Sequence, residues 1–191
     1  PLTFLPDKIS LYTSKQVIAV GRYDRQKGFD MLISAWKMVA MKYPDWILRI
    51  FGDGPLRREL ELQVTQEGIG NNCFLDFPVK NIADKYAESS IYVLSSRFEG
   101  FGLVIIEAMC CGLPVVSFAC PCGPRDIIRD QEDGILVEKE NVKSLEQNIL
   151  RLIENGEERR QMGKNALRNV QRYRMENIAI LWKNIFEELL Q

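Results

Sequence analysis

Short apolar runs alternate with longer amphipathic stretches along most of the chain. Gln16–Val20 (QVIAV) runs apolar up to Gly21-Arg22, the pattern of a strand buried on both faces. Residues 29–43 follow with apolar side chains at Leu32, Ile33, Trp36, Val39 and Ala40, a helical stripe that Pro44 closes. Residues 46–51 predict a second strand, turned by Gly52-Asp53-Gly54. Pro55 then takes the first position of a helix that continues over residues 56–67. Residues 73–77 predict a third strand, residues 82–88 a short helix and Ile91–Leu94 a fourth strand. After an apolar helix over residues 103–111, residues 114–118 predict a fifth strand and residues 119–124 an irregular loop. Residues 125–129 make a helical turn and Gly134–Val137 a sixth strand. Val142–Glu154 and residues 157–166 and 175–190 are helical. Strands and helices alternating at this spacing predict an α/β fold, a doubly wound parallel six-stranded sheet with helices on both faces. Trp36 and Trp46 read as core. Trp182 reads as part of a packing stripe with Ile178, Leu181, Ile185 and Leu189.

Candidate chemistry concentrates in residues 97–114, RFEGFGLVIIEAMCCGLP. The stretch opens with a loop carrying two glycines and continues as a helix that is apolar all round except at Glu107. Such a helix is normally buried, and a carboxylate inside it is costly unless something pairs with it. A surface position suits Glu107 poorly beside Ile105, Ile106, Ala108 and Met109. A helix start entered through glycines offers free N–H groups and a positive dipole end, which suits phosphate. Glu99, taken alone, also suits a helix start. Arg22 and Lys27, taken alone, suit solvated loop charges, but both follow the first strand. Ligands of parallel sheets bind at the carboxyl ends of the strands, and Arg22, Lys27, the Gly52 turn, Glu99 and Gly102 all fall there. The two cations can neutralise a diphosphate, Arg as a fork and Lys as a point charge.

The 191 residues suffice for one well-buried domain, and 46% apolar with 27% charged residues is ordinary for a globular protein. A net charge of −1 gives no reason to expect nucleic acid. Five cysteines, with no histidine, match neither a disulfide framework nor a zinc site. The odd number of cysteines fits a reducing cytoplasm; no apolar run is long enough to span a membrane and no signal peptide is visible. The opening PLTFLPDKIS suggests the end of an interdomain linker, and the chain a piece of something longer. Gly52-Asp53-Gly54-Pro55 lacks the third glycine of a dinucleotide fingerprint, and no GxxxxGK[ST] occurs, which argues against nicotinamide binding and a P-loop.

In order, V-G-R-x4-K-G (residues 20–28), G-D-G-P (52–55) and S-x-x-E-G-F-G-x4-E-A-M-x-x-G-x-P-V-V (96–116) resemble glycosyltransferase family 4. Its members are retaining, nucleotide-sugar-dependent enzymes of GT-B fold. The resemblance covers nearly the whole chain and is to the C-terminal, donor-binding domain. It implies that residues 1–14 end a linker, 15–174 form the donor domain, and the helix over 175–191 packs on it or towards an absent N-terminal domain. It further implies that Arg22 and Lys27 grip the donor diphosphate, with the N–H groups of Gly102 and Leu103 capping it. Glu99 would hold hydroxyls of the transferred sugar and Glu107 those of the ribose, with the turn from Phe77 to Val79 beside the base. Gly52, Gly100 and Phe101 complete the binding set, and Glu99, Arg22 and Lys27 the catalytic group. No DxD occurs, so no metal or other cofactor is expected, and Glu99 is a positioner rather than a nucleophile. Where many relatives carry Gly-Gly and a Glu, this chain has Cys122-Gly123-Pro124-Arg125-Asp126. That variant is similar to bacterial surface-glycan transferases using galactose-type or glucose-type donors, and leaves the sugar open. The expected activity is hexose transfer from UDP-linked Gal, GalNAc, Glc or GlcNAc to a glycan or lipid-linked acceptor bound by the absent domain. The site would be cytoplasmic, at the inner face of the membrane, with peripheral attachment of the whole protein. A nucleotide-sugar epimerase of the same fold and a non-catalytic nucleotide-sugar-binding module are the alternatives.

Overall fold

A computed structural model describes residues 4 and 6–190; the remaining part of the expected linker, and Gln191, lie outside the described residues. The elements run β1 (Gln16–Val20), α1 (Phe29–Lys42), β2 (Ile47–Phe51), α2 (Arg57–Gln66), β3 (Cys73–Asp76), α3 (Ile82–Ala87) and β4 (Ile91–Leu94). They continue as α4 (Leu103–Cys110), β5 (Val115–Phe118), α5 (Pro124–Ile127), β6 (Gly134–Val137), α6 (Val142–Glu154), α7 (Gly156–Asn169) and α8 (Met175–Leu189), with a 3₁₀ turn at Val170–Tyr173. The six strands form one parallel sheet in the order β3-β2-β1-β4-β5-β6. The chain therefore enters at the centre, works outward to β3, and returns to lay β4 on the other side of β1. Connections on either side of β1 and β4 part to opposite faces, which opens a crevice at the carboxyl ends of these two strands.

β4 (IYVL) and β5 (VVSF) are buried at every position, as strands covered on both faces must be. On one face α1 and α6 bring Leu32, Trp36, Val39, Leu145 and Ile149 against Val17, Leu48, Ile50 and Val116. On the other, α3 and α4 bring Tyr86, Ile105, Ile106 and Met109 against Ile18, Tyr92 and Leu94. Trp36 and Trp46 are both core, and Trp36 Nε1 donates to the Asn72 carbonyl at 3.0 Å. Four of the five cysteines are buried; burial pushes the thiols of Cys73, Cys110 and Cys111 up to about 12. Ser10 and Tyr12 are also buried, and the Arg159 guanidinium donates to the Tyr12 carbonyl at 3.0 Å, so this end of the expected linker is tied to α7.

Two expectations, the start of the second helix and the end of the third strand, need correction. The second helix starts at Arg57 rather than Pro55, because Pro55 and Leu56 form a turn held to the β1 loop by Leu56 N–H donating to the Tyr23 carbonyl at 3.0 Å. Among the described residues the Trp182 stripe covers nothing on this domain: α8 buries no residue, Trp182 is 56% exposed, and its ring stacks on Phe186, centroids 5.8 Å apart. The third strand ends one residue early, at Asp76, where its pairing with β2 stops. Among the described residues no helix is long and apolar enough to cross a membrane.

Candidate functional site

The β1–α1 loop and the β4–α4 loop meet across the crevice. Gly28 begins α1 in the left-handed region (φ 62°), and a Cβ there would stand 2.1 Å from the Ser95 carbonyl oxygen, so only glycine admits this approach. Side-chain and backbone bonds stitch the loops together. Arg97 clasps Asp30 through two bonds of 2.9 and 2.7 Å and donates to the Arg25 carbonyl at 2.9 Å. Arg97 N–H reaches the Gln26 carbonyl at 2.8 Å, and Gln26 Nε2 donates to the Phe98 carbonyl at 3.1 Å. The Arg97 hydrogen bonds hold the Asp30 carboxyl below the usual carboxylate range, against a smaller upward push from burial.

This framework brings Lys27 to Glu99. Lys27 Nζ donates to Glu99 Oε1 at 2.7 Å, and the side chains are only 16% and 6% exposed. Ser96 Oγ donates to the same oxygen at 2.6 Å. Gly100 and Phe101 continue the loop in exposed positions, and the Phe101 ring sits edge-on to Tyr173, centroids 6.1 Å apart. Gly102, left-handed at φ 87°, opens α4 without any side-chain cap, and Leu103 is exposed at its first position. The first N–H groups of a helix lack intrahelical acceptors, so this terminus is equipped for an anion. The β5–α5 loop leans on the same place: a Cβ on Gly123 would lie 2.4 Å from the Phe101 carbonyl oxygen and 3.4 Å from Glu99 Cβ.

Arg22, Gly52 and Val79 gather next to the Lys27–Glu99 pair, since a Cβ on Gly21, the residue before Arg22, would lie 3.1 Å from the Lys27 side chain. They share a cleft of about 400 Å³ with Val20, Phe51 and Ile82. Arg22 is exposed on its wall, and among the described residues it forms no ion pair. The cleft is apolar beyond Arg22 and Asp53, as suits a planar ring. Its outer turn is fixed by Arg57, whose guanidinium lies 3.8 Å from the centre of the exposed Phe77 ring. Arg57 also donates to the Gly52 carbonyl at 2.9 Å and to the Leu75 carbonyl at 3.2 Å. Tyr23, wholly buried, ties the three strand ends by donating to the carbonyls of Ile50 (2.6 Å) and Asp76 (2.9 Å).

Glu107, on α4, is half-buried and accepts from Tyr86 Oη at 3.2 Å. Burial pushes its carboxyl above the usual range, and the Tyr86 bond offsets only part of that push. The expected site residues thus form three groups on one edge of the sheet: Lys27 with Glu99, Arg22 with Gly52 and Val79, and Glu107 with Tyr86. Sequence reasoning missed Ser96, Arg97, Tyr23, Arg57 and Tyr86 as supports. An aromatic within a polar loop was the available signal for Tyr23; Ser96 opens the S-x-x-E motif, which gave it no role.

The chain is 35% identical over 186 residues to an uncharacterized glycosyltransferase of Haemophilus influenzae, covering 97% of this chain and 53% of that protein. It spans about half the length of that relative. TarM of S. aureus, solved as a mutant in complex with fondaparinux, alpha-GlcNAc-glycerol and UDP, superposes with a TM-score of 0.87 at 29% identity, over 95% of this chain and 37% of that one. The C-terminal domain of a glycosyl transferase group 1 family protein from Francisella tularensis superposes with a TM-score of 0.77 at 26% identity, over 89% of this chain and 95% of that domain. The family model for glycosyl transferases group 1 matches residues 5–169, and the chain belongs to that family as the C-terminal domain of its GT-B fold.

Proposed function

We propose that the chain is the donor-binding half of a retaining family 4 glycosyltransferase. It moves a hexose from a UDP-linked donor of the Gal, GalNAc, Glc or GlcNAc type to a glycan or lipid-linked acceptor. The observation that carries this is the Lys27–Glu99 pair, which spans the β1/β4 crevice beside the uncapped start of α4. Arg22, Lys27 and the N–H groups of Gly102 and Leu103 receive the diphosphate. Val79 and the apolar cleft receive the base, Glu107 the ribose hydroxyls, and Glu99 the sugar. The UDP and alpha-GlcNAc-glycerol found with TarM support a UDP donor and an α-linked product.

Cleaving the glycosyl–phosphate bond builds negative charge on the departing diphosphate. Fixed cations and N–H groups stabilise that charge where it develops, in the place a divalent metal takes in other transferases. The acceptor hydroxyl attacks from the face the diphosphate leaves, and its proton passes to the departing phosphate oxygen. Glu99 orients the sugar throughout. The acceptor site belongs to a second domain at the inner face of the cytoplasmic membrane, and the bare apolar side of α8 packs towards that domain.

The test is calorimetry of UDP, uridine and UDP-sugars on this chain and on Arg22→Ala. Hydrogen bonds to charged groups contribute about 1.5–3 kcal/mol, so Arg22→Ala should weaken UDP by roughly that much and leave uridine alone. Arg22 is the cleaner probe, because removing one partner of a buried ion pair such as Lys27–Glu99 itself costs about 3–5 kcal/mol. Equal losses for uridine and UDP would refute the diphosphate placement. Preferential binding of another nucleotide class would refute the donor.

A further inference from the structure

Glu99 is held by one oxygen. Lys27 Nζ and Ser96 Oγ both donate to Oε1, at 2.7 and 2.6 Å, while Oε2 has no partner among the described residues. Ser96 is 0% exposed and lies three residues before Glu99 on the same loop. Its neighbour Ser95, also buried, donates to the Lys27 carbonyl at 2.9 Å. Consecutive serines therefore grip the two sides of the ion pair, one by the lysine backbone and one by the glutamate side chain.

We propose that Ser96 is a positioning residue that anchors Oε1 of Glu99, so that Oε2 is the oxygen presented to the transferred sugar. The inference rests on the proposed placement of Glu99 against that sugar. Lys27 cannot do this alone. Its ammonium carries three protons, and a diphosphate arriving at the α4 terminus draws it away from the carboxylate. Ser96 has no competing acceptor, so it keeps Glu99 in one orientation while Lys27 turns to the phosphate. Hydrogen bonds to an ionised acceptor are the short, strong ones, and the 2.6 Å bond is of that kind.

Calorimetry of UDP, UDP-glucose, UDP-galactose and UDP-N-acetylglucosamine on Ser96→Ala, Glu99→Gln, Glu99→Ala and the Ser96→Ala/Glu99→Ala double variant tests the role. Ser96→Ala should keep UDP affinity within about twofold and lower affinity for the preferred sugar nucleotide by about five- to tenfold. In a Glu99→Ala background, which leaves Ser96 no side-chain oxygen to anchor, the same substitution should remove nothing more. Ser96→Cys, which keeps the volume and loses the strong donor, should match Ser96→Ala and so rule out a cavity effect. Additive losses, an equal loss of UDP, or a wild-type preference retained by Ser96→Cys would overturn the role of Ser96. If Glu99→Gln itself leaves the preference over UDP unchanged, the placement of Glu99 fails instead.

Discussion

At the scale of single residues, Glu107 shows how burial would make a carboxylate proposed to hold the ribose sensitive to pH. Its carboxyl is raised by desolvation, with Tyr86 as the one hydrogen-bond donor to it among the described residues. A raised folded value means the folded state favours the protonated form. Stability from this group is full below the unfolded value and is lost as pH rises through the folded one. Ribose hydroxyls are best held by the ionised form, so binding runs the other way. UDP affinity should fall on acidification, starting above the ordinary glutamate value of 4.5. Glu107→Gln should bind UDP more weakly and without that pH dependence; titrations at several pH values read both. A slope kept by Glu107→Gln would assign it to another group. Glu107 could be found in the sequence because its apolar neighbours left a carboxylate unexplained. Ser96 stood in the S-x-x-E motif, but its bond to Glu99 was not legible, because the Lys27 that shares the same oxygen arrives from a loop 72 residues away from Glu99.

At the scale of elements, two loops from distant strands behave as one wall. The β1–α1 and β4–α4 loops share the Arg97–Asp30 clasp, the Gln26 bonds and the Lys27–Glu99 pair. Gly28 is where they touch most closely, with only 2.1 Å available to a Cβ beside the Ser95 carbonyl oxygen. Gly28→Ala adds that clash to a left-handed backbone, a strain of about 1–3 kcal/mol before any clash. At about 2–4 °C per kcal/mol for a domain of this size, the melting temperature should drop by several degrees. UDP binding should weaken as Lys27 shifts. A variant that melts and binds as the parent does would show that the contact gives way freely. The strands were legible from sequence because parallel strands buried on both faces must be continuously apolar, as β4 and β5 are. The helix starts were less so. Pro55 is a favoured first helical residue, yet here tertiary bonds to Tyr23 delay the helix to Arg57.

At the scale of the whole molecule, the sheet places every proposed donor contact on one edge, and that edge is open. The cleft at the base end is about 400 Å³ and faces solvent, and Phe98, Phe101 and Leu103 stand exposed beside the proposed sugar position. The α8 stripe, apolar by pattern as the sequence indicated, lies bare at Trp182, Phe186 and Leu189. Three glutamates against one lysine make that helix a poor ligand for an anionic membrane and a better one for another protein surface. The chain covers 53% of the H. influenzae relative and 37% of TarM, so both extend well beyond the matched part. Transfer requires donor and acceptor held in near-attack geometry with water excluded, and that positioning supplies a large part of the acceleration. In two-domain enzymes closure of one domain on the other provides it. The chain by itself should therefore bind UDP weakly, with Kd on the order of tens of micromolar to millimolar, since much of the ligand stays wet. It should transfer no sugar. Incubating it with UDP-glucose, UDP-galactose or UDP-N-acetylglucosamine and free-sugar or lipid-linked acceptors, then looking for product by mass spectrometry, tests this directly. UDP binding without product is the expected result; steady product formation by the 191 residues would mean that the acceptor site lies within this chain.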